Sequence, residues 1–286
     1  MNIFQLLFNG LAVGSIIALS AIGLTLTLGI LRISNFAHGD LMTLGAYLSF
    51  FFNSLGLDLA LAILFGTVGT VLMILATEFL IWQPMRKRRA SSTTLTVLSI
   101  GLALFIRNGI LLIWGGNNQR YNIPLMQASS LGGLKIEPNR LLVIFLTLII
   151  VVLLHFVLQK TKIGKAMRAV ADNIDLAGVS GIDVKSVILW TWLLTGIMIA
   201  FSGSFYGLIV GGLRPDMGWF LIMPIFAAVT LGGIGNPYGA VAGGIIIGVA
   251  QEISIIWLGS NYKLAVALVI MILLLLLRPQ GLFKSA

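Results

Sequence analysis

Long runs of apolar residues separated by short polar segments form the main pattern of this chain. About 20 residues of α-helix cross the hydrocarbon core of a bilayer, so runs near this length predict membrane-spanning helices. Nine runs approach or exceed it: residues 4–30, 39–52, 59–82, 95–114, 141–158, 187–210, 221–234, 240–257 and 264–277. The pattern predicts an all-α polytopic membrane protein with about 8–9 transmembrane helices, folded as a single domain over residues 1–286.

The number of crossings depends on the sequence GGIGNP at residues 232–237. Glycine and proline interrupt helices, so this segment is either a turn between two spans or the break in one discontinuous helix. A break of the second kind occurs in a membrane only where protein or a water-filled cavity satisfies the freed backbone groups. Both interpretations agree with the hydropathy pattern.

The composition supports a membrane location. Hydrophobic residues make up 58% of the chain and charged residues 9%, which is too little charge to cover the surface of a soluble protein. The net charge of +9 does not indicate a nucleic-acid partner, because the basic residues are scattered over many loops and are not interleaved with aromatic residues. Basic residues also collect in the cytoplasmic loops of membrane proteins.

The distribution of basic residues predicts the orientation. Two clusters, at residues 86–89 and 160–185, are separated by two predicted spans and therefore lie on the same side of the membrane. Basic loops are retained in the cytoplasm, which makes that side the cytoplasmic one. Arg278 and Lys284 place the C-terminal end there as well. The polar segment 115–139 then faces outward, and the first span begins outside.

The cytoplasmic loop at about residues 160–186 contains an amphipathic segment. Its apolar residues recur at steps of three and four, as they do on one face of an α-helix. They are Ile163, Met167, Val170, Ile174 and Ala177. Gly178 and Gly181 supply stop signals at the end of this face. The helix either lies on the membrane surface or docks into a groove on a cytoplasmic partner.

A polar segment with the sequence NFAHGD, residues 35–40, lies between the first two predicted spans. It is either a polar turn, in which Asp40 stabilises the positive end of the next helix, or part of a gate or substrate pathway. A metal site is not expected, because no second group of His, Asp or Glu residues supplies further ligands.

Three ionisable residues fall within or near apolar runs: Glu78, Arg107 and Glu252. A charge at the centre of a span costs about 2.5–3.5 kcal/mol, so these side chains should face protein or a cavity rather than lipid. Glu78 and Arg107 lie towards the ends of their spans, and we expect them to reach the interface. Glu252 is deeper, which makes it a candidate for the pathway or for internal packing.

Several classes of chemistry are not expected. The chain has no Cys, which removes disulfides, thiolate metal sites and cysteine nucleophiles. It also lacks the GxxxxGKS or GxxxxGKT sequence that binds ATP phosphates and the HExxH sequence of zinc proteases. The few ionisable residues do not supply a converging catalytic set. We therefore expect no catalytic residue, no cofactor and no enzyme activity.

Six motifs in order along the chain carry a family resemblance. They are NGLAVGS at 9–15, ISNFAHGD at 33–40, GKAMRA at 164–169, AGVSGI at 177–182, AAVTLGGIG at 227–235 and RPQGL at 278–282. In these motifs the chain resembles the membrane permeases of branched-chain amino-acid ABC importers of the Liv type. The resemblance covers nearly the whole length.

The resemblance implies one membrane subunit of an ATP-driven importer in the bacterial inner membrane. In that family two permeases pair, here with a distinct paralogue expected as the second, two ABC ATPase subunits bind on the inner side, and a periplasmic substrate-binding protein delivers the substrate. The permease translocates branched-chain or other neutral amino acids by alternating access. Related permeases carry urea or amides, and that alternative remains open, as does a stand-alone carrier or channel that needs no ATPase.

The resemblance also implies which residues contact the ATPase and which line the substrate pathway. The implied coupling residues, which would contact the ATPase, are Gly164, Lys165, Met167, Arg168, Ala169, Asp172, Ala177 and Gly181. The candidate pathway residues are Asn35, Phe36, His38, Asp40, Gly232, Gly233, Gly235, Asn236 and Glu252. Membrane lipid is the remaining expected partner.

Overall fold

The computed structural model describes residues 3–123, 129–131, 134–278 and 280–283. Pro279, in the RPQGL motif, and Lys284, near the C-terminal end, lie outside these residues. The helices of the first half are α1 (Ile3–Leu26), α2 (His38–Ser54), α3 (Leu59–Thr77), α4 (Gln83–Lys87), α5 (Ser92–Trp114) and α6 (Pro138–Lys160). Those of the second half are α7 (Lys162–Asp172), α8 (Ile174–Val179), α9 (Val184–Val210), α10 (Met217–Gly232), α11 (Pro237–Ile253), α12 (Ile255–Leu258) and α13 (Lys263–Leu277).

Some of these helices continue into one another and form helical stretches long enough to cross a membrane. A π-helical turn, Thr27–Leu31, extends α1, and another, Glu78–Trp82, connects α3 with α4. Within the described residues, seven helical stretches are long and apolar enough to cross a membrane: Ile3–Leu31, Leu59–Lys87, Ser92–Trp114, Pro138–Lys160, Val184–Val210, Pro237–Leu258 and Ser260–Leu277. They follow the predicted runs, and the all-α polytopic fold is confirmed. The remaining two runs correspond to the shorter helices α2 and α10.

Two short strands, β1 (Ser129–Leu131) and β2 (Leu134–Ile136), pair antiparallel in the segment predicted to face outward. Side-chain caps fix several helix starts. The Ser91 hydroxyl accepts a hydrogen bond from the Thr94 N–H before α5, and the Asp183 carboxylate accepts two before α9. Such caps satisfy the N–H groups that a helix start leaves free, which places the boundaries close to the polar residues of the sequence.

The centre of the bundle is α1, which packs along α11 through glycines. A Cβ atom at Gly10 would lie 2.7 Å from the Cα of Val249, and one at Gly14 would lie 2.9 Å from the Cα of Ile245. In lipid there is no hydrophobic force between helices, so small residues that let backbones touch supply the attraction through van der Waals contact. The peripheral helix α13 has Ala267 as its buried residue, packs Ile270, Met271 and Leu274 against the core, and exposes apolar side chains such as Leu276 and Leu277 on its outer face.

Both basic clusters lie at one end of the bundle, called the inner end below. Trp82 stacks on Trp192 near the start of α9, with 6.0 Å between ring centroids, and this contact brings residues 86–89 to the end where α7 and α8 lie. At the opposite, outer end, the Tyr47 hydroxyl donates to the carbonyl of Leu213 at 3.2 Å. The shared inner end agrees with the orientation inferred from the charges.

Residues 233–236 form a turn between two antiparallel helices, so the alternative of a break in one discontinuous helix is wrong. Gly233 and Gly235 have φ angles of 92° and 88°, which glycine adopts without strain. The side chain of Asn236 then caps α11 by accepting from two backbone N–H groups. Gly232 and Gly239 touch across the turn so closely that a Cβ on either would overlap the other residue's backbone.

Helix α2 begins inside the bundle rather than at its inner surface. The Nε2 atom of His38 lies 3.0 Å from the Oγ of Ser20, and Ser20 precedes the end of the Ile3–Leu31 stretch by eleven residues. At 1.5 Å per residue this is about 16 Å of helix. Residues 32–37 therefore return into the protein before α2 starts. Of the two alternatives for residues 35–40, a polar turn at the membrane surface is thus wrong, and α2 is not a complete second span.

Candidate translocation and coupling sites

The returning segment is held by hydrogen bonds to α5 and to itself. Phe36 N–H donates to the Ser99 hydroxyl at 3.1 Å, and that hydroxyl in turn lies 3.2 Å from the Ser34 carbonyl. The side-chain oxygen of Asn35 accepts from the Ala37 N–H at 3.1 Å, which starts α2. These bonds satisfy polar groups that would otherwise be unpaired in a buried segment.

His38 is fully buried between α1 and α2. Its Nε2 atom is 3.0 Å from both the hydroxyl and the carbonyl oxygen of Ser20. A Cβ atom at Gly23 would come within 3.2 Å of the imidazole ring, so the small residue makes room for it. Asn35 is fully buried as well, and its Nδ2 atom has no hydrogen-bond partner among the described residues, as is the case for His38 Nδ1.

Asp40 and Arg107 form an ion pair between α2 and α5. Arg107 Nε and Nη2 each donate to one carboxylate oxygen of Asp40, both at 2.9 Å. The guanidinium carbon of Arg107 lies 4.8 Å from the ring centre of Trp219, which is a cation–π contact. We expected Arg107 to reach the interface, and this was wrong because it pairs with Asp40 at the start of α2, inside the bundle. The sequence signal for this ion pair was the presence of one acidic residue, Asp40, and one basic residue, Arg107, in or beside apolar segments.

Helix α10 also begins inside the bundle, beside the start of α2. Gly218 N–H donates to the Thr43 hydroxyl at 3.0 Å, and the backbones of Gly218 and Gly39 are in direct contact. Further along, Phe36 packs on Phe226 with 5.1 Å between ring centroids. The two N-terminal ends therefore overlap in antiparallel fashion. Each carries partial positive charge from its free N–H groups.

The structure separates the other predicted pathway residues from this place. Gly232 ends α10 at the inner end, and Gly233, Gly235 and Asn236 lie in the turn that follows, where Gly235 N–H donates to the Thr25 hydroxyl at 2.9 Å. Glu252, near the end of α11, forms an ion pair with Lys263. The predicted set is thus distributed over three locations.

Glu78, expected at the interface, is 3% exposed. It accepts a hydrogen bond of 2.7 Å from the Trp192 indole N–H and pairs with Arg86. Its partners come from α9 and from the inner basic cluster, so Glu78 lies towards the inner end of its span and faces protein rather than lipid. In residues 3–123, 129–131, 134–278 and 280–283, no group of three potential ligand side chains is close enough to hold a metal ion.

At the inner end, α7 is packed tightly onto α6. Thr161 caps α7 by accepting from the Gly164 N–H, and Gly164 lies so close to Leu158 that a Cβ atom would overlap its carbonyl oxygen. The Arg168 guanidinium also donates to the Leu158 carbonyl. The buried residues of α7 include Met167 and Val170, as the apolar face predicted.

The predicted amphipathic helix is two helices rather than one. Asn173 ends α7 with an extended backbone, and its side chain caps α8 by accepting from the N–H groups of Asp175 and Leu176. Ala177 is buried and Ile174 is 42% exposed, so the predicted face is divided between the two helices. Gly181 follows α8 with a φ of 86°, in agreement with the stop signal.

The apolar face of α7 contacts the chain's own helices, so a different surface is left for a partner. Lys165 and Asp172 are exposed on α7, and Ala169 is half-buried. On α8, Leu176 is 62% exposed and Val179 is 84% exposed. We call these exposed residues of α7 and α8 the inner docking surface.

A cleft of about 580 Å³ opens between α7, the inner end of α1 and the α10–α11 turn. Its polar lining includes Arg32, Arg168, Asp172, Asn236 and Tyr238. The cleft therefore joins residues predicted for coupling to residues predicted for the pathway.

Comparison with known proteins identifies the family to which the chain belongs. A family described as "Branched-chain amino acid transport system / permease component" matches residues 6–275. The permease protein LivH of the high-affinity branched-chain amino acid transport system of Salmonella typhimurium is 31% identical, over 97% of this chain and 94% of the relative. BraD of Pseudomonas aeruginosa, described in the same terms, is also 31% identical with the same coverage.

Among solved structures, PsaBC from Streptococcus pneumoniae in complex with Fab superimposes with a TM-score of 0.53. The match covers 98% of this chain and 93% of that one, at 14% sequence identity, and shows a shared fold. The family match spans nearly all of the membrane bundle, including the returning segment, the inner cleft and α7–α8. The chain belongs to the family of permease components of branched-chain amino acid transport systems.

Proposed function

We propose that this chain is the permease of an ABC importer that carries branched-chain amino acids across the bacterial inner membrane by alternating access. The observation that carries the proposal is the family match over residues 6–275, together with 31% identity to LivH and BraD over nearly their whole length. The interior chemistry supports it, since a neutral zwitterion with an aliphatic side chain requires an apolar path with a few placed polar groups.

A permease of this family works with an ATPase, and the sequence itself supports the need for one because it has no phosphate-binding loop. We propose the full set expected from the family: two ABC ATPases, a second and distinct permease, and a periplasmic substrate-binding protein. The exposed apolar faces of α5, α6 and α13 leave ample surface for the second permease and for lipid.

The inner docking surface is the proposed contact with the ATPases. Its exposed Leu176 and Val179 offer apolar anchors, and Lys165 and Asp172 add charges of both signs beside them. Interfaces of this kind depend on a few apolar anchors surrounded by polar residues. A docking role fits this surface better than a membrane-surface role, because the apolar face of α7 is already buried against the protein.

Movement of α7 would reach the spans directly. Gly164 and Arg168 tie α7 to the inner end of α6, and α7 also packs against α9 and the π-helical turn of α1. When ATP draws the ATPases together, displacement of α7 and α8 would therefore change the width of the inner cleft. This couples nucleotide binding to access from the cytoplasm.

The test is uptake by the host organism with the gene deleted and then restored. We expect deletion to abolish high-affinity uptake of labelled leucine, isoleucine and valine, and expect each of these three to compete with the others while glutamate and urea do not. Unlabelled alanine and proline define how broadly neutral side chains are accepted. Competition by urea in place of leucine would contradict the substrate class.

A second arm of the same assay addresses the carrier alternative. Arsenate depletes cellular ATP while leaving the membrane potential, so uptake through an ABC importer should stop. Uptake that continues at the original rate would show a carrier or channel that needs no ATPase.

A further inference from the structure

We propose that Arg107, held in place by Asp40 and Trp219, binds the carboxylate of the transported amino acid inside the membrane. This inference rests on the proposed import of amino acids and assigns the group that recognises their shared anionic end. From the sequence we expected Arg107 at the membrane interface, and none of the six family motifs contains it.

The depth of Arg107 is the first support. Helix α5 runs from Ser92 at the inner end to Trp114 at the outer end. Arg107 is fifteen residues from the first and seven from the second, which corresponds to about 22 Å and about 10 Å of helix. The guanidinium therefore belongs to the hydrocarbon region, where a cation is costly and is retained mainly for function.

The polar groups around Arg107 favour a cavity over lipid on its open side. Its side chain is 17% exposed, and the neighbouring Asn108 on α5 is exposed as well. At the start of α10, Trp219 is 41% exposed and Phe220 is 52% exposed. Charged and amide side chains at this depth face a water-filled cavity or another subunit. In an importer built from two permeases, the cavity between them is where this surface would lie.

The guanidinium has donors left for a ligand. Arginine carries five N–H groups, and Asp40 takes one from Nε and one from Nη2. Nη1 donates to no protein atom in the described part of the chain, and its two N–H groups lie in the same plane. The guanidinium carbon lies 4.8 Å from the centre of the Trp219 ring, and this cation–π contact helps to hold the side chain in place. One N–H of Nη1 and the remaining N–H of Nη2 run parallel and would form a paired donor set for a carboxylate that approaches in the plane.

The surrounding backbone favours the same ligand. The N-terminal ends of α2 and α10 overlap beside the ion pair, and both present partial positive charge. Helix N-termini of this kind hold anionic substrate groups in other transport proteins with interrupted helices. In the absence of substrate, Asp40 balances Arg107, so the membrane contains no bare cation. The exposed aromatic rings of Trp219 and Phe220 would contact the aliphatic side chain.

The test uses the complete importer, purified from host membranes by a tag on this chain and reconstituted in liposomes. The measured quantity is leucine transported per ATP hydrolysed, with the binding protein saturated by leucine. We expect Arg107→Gln to lower this ratio about tenfold or more, since a charge-assisted hydrogen bond is lost. ATPase stimulation by the loaded binding protein should stay within about twofold of the wild type, because docking and coupling lie elsewhere.

Two further variants keep the outcome decisive. Arg107→Gln alone leaves Asp40 buried and unpaired, so the double variant D40N/R107Q removes both charges and should assemble with the same loss of transport. Arg140→Gln is the matched control, because Arg140 pairs with the exposed Glu137 at the outer start of α6. It should leave the ratio unchanged.

Each contrary result has a distinct meaning. An assembled double variant that moves as much leucine per ATP as the wild type would overturn the carboxylate assignment. Loss of ATPase stimulation in both Arg107 variants would overturn it too, by giving the ion pair a structural role. A wild-type importer that hydrolyses ATP without moving leucine would instead refute the proposed substrate class, and the inference with it.

Discussion

Single residues determine how α7 is held against the bundle. Gly164 lies against the Leu158 carbonyl in a space that no side chain can enter, so α7 packs directly on the backbone of α6. The motif containing Gly164 was recognisable from the sequence, but its contact was not, because tight backbone approach depends on the packed structure. The same limit applied to Arg107, whose partner Asp40 is 67 residues away along the chain.

Replacing Gly164 by alanine should therefore destabilise the permease. The added methyl group must displace the backbone of α6, and overpacking of this kind costs about 1–3 kcal/mol. We expect a lower melting temperature for the purified protein and weaker ATPase stimulation. Gly178→Ala is the control, because in α8 the new Cβ atom would meet only the Val184 side chain at 3.9 Å. Equal melting temperatures for the two variants would contradict this account of Gly164.

At the scale of helices, the sequence predicted most spans closely because long apolar runs are a local signal. The start of α5 was placed three residues late, since Ser91 caps the helix before the apolar run begins. The division between α7 and α8 was missed because apolar residues continue at helical spacing across Asn173, whose capping side chain ends one helix and starts the next. The inward start of α2 was also missed, since depth in the bundle depends on contacts with α1 and α5.

The helix α8 provides the sharpest test of the inner docking surface. Val179 is 84% exposed, so Val179→Asp should leave the melting temperature unchanged. It would nevertheless place a charge where an apolar anchor of the ATPase contact is proposed, and burying a charge without a partner is costly. We expect ATPase stimulation and leucine uptake to fall about fivefold or more.

Ser180→Asp adds the same charge one residue later without removing an apolar group, and it should have the smaller effect. If Val179→Asp supports normal uptake with normal expression, α8 is not part of the ATPase contact.

The whole molecule is a multi-pass protein of the bacterial inner membrane, with its basic clusters at one end. The absence of Cys makes its orientation directly measurable, since an introduced Cys is the only thiol. In spheroplasts, a membrane-impermeant maleimide should label the Asn117→Cys variant at once. The Lys165→Cys variant should react only after the membrane is permeabilised. Immediate labelling at position 165 would place α7 outside and rule out its contact with an ATPase.

The seam of glycines between α1 and α11 has a mechanical consequence. The backbones of α1 and α11 are in contact at Gly10, Gly14 and Gly244 and cannot slide past one another without overlap. We therefore expect the two helices to move as one rigid body. When the inner end of this helix pair tilts in one direction beside the inner cleft, its outer end moves in the opposite direction. One face of the membrane would close as the other opens, with no separate hinge needed to coordinate them.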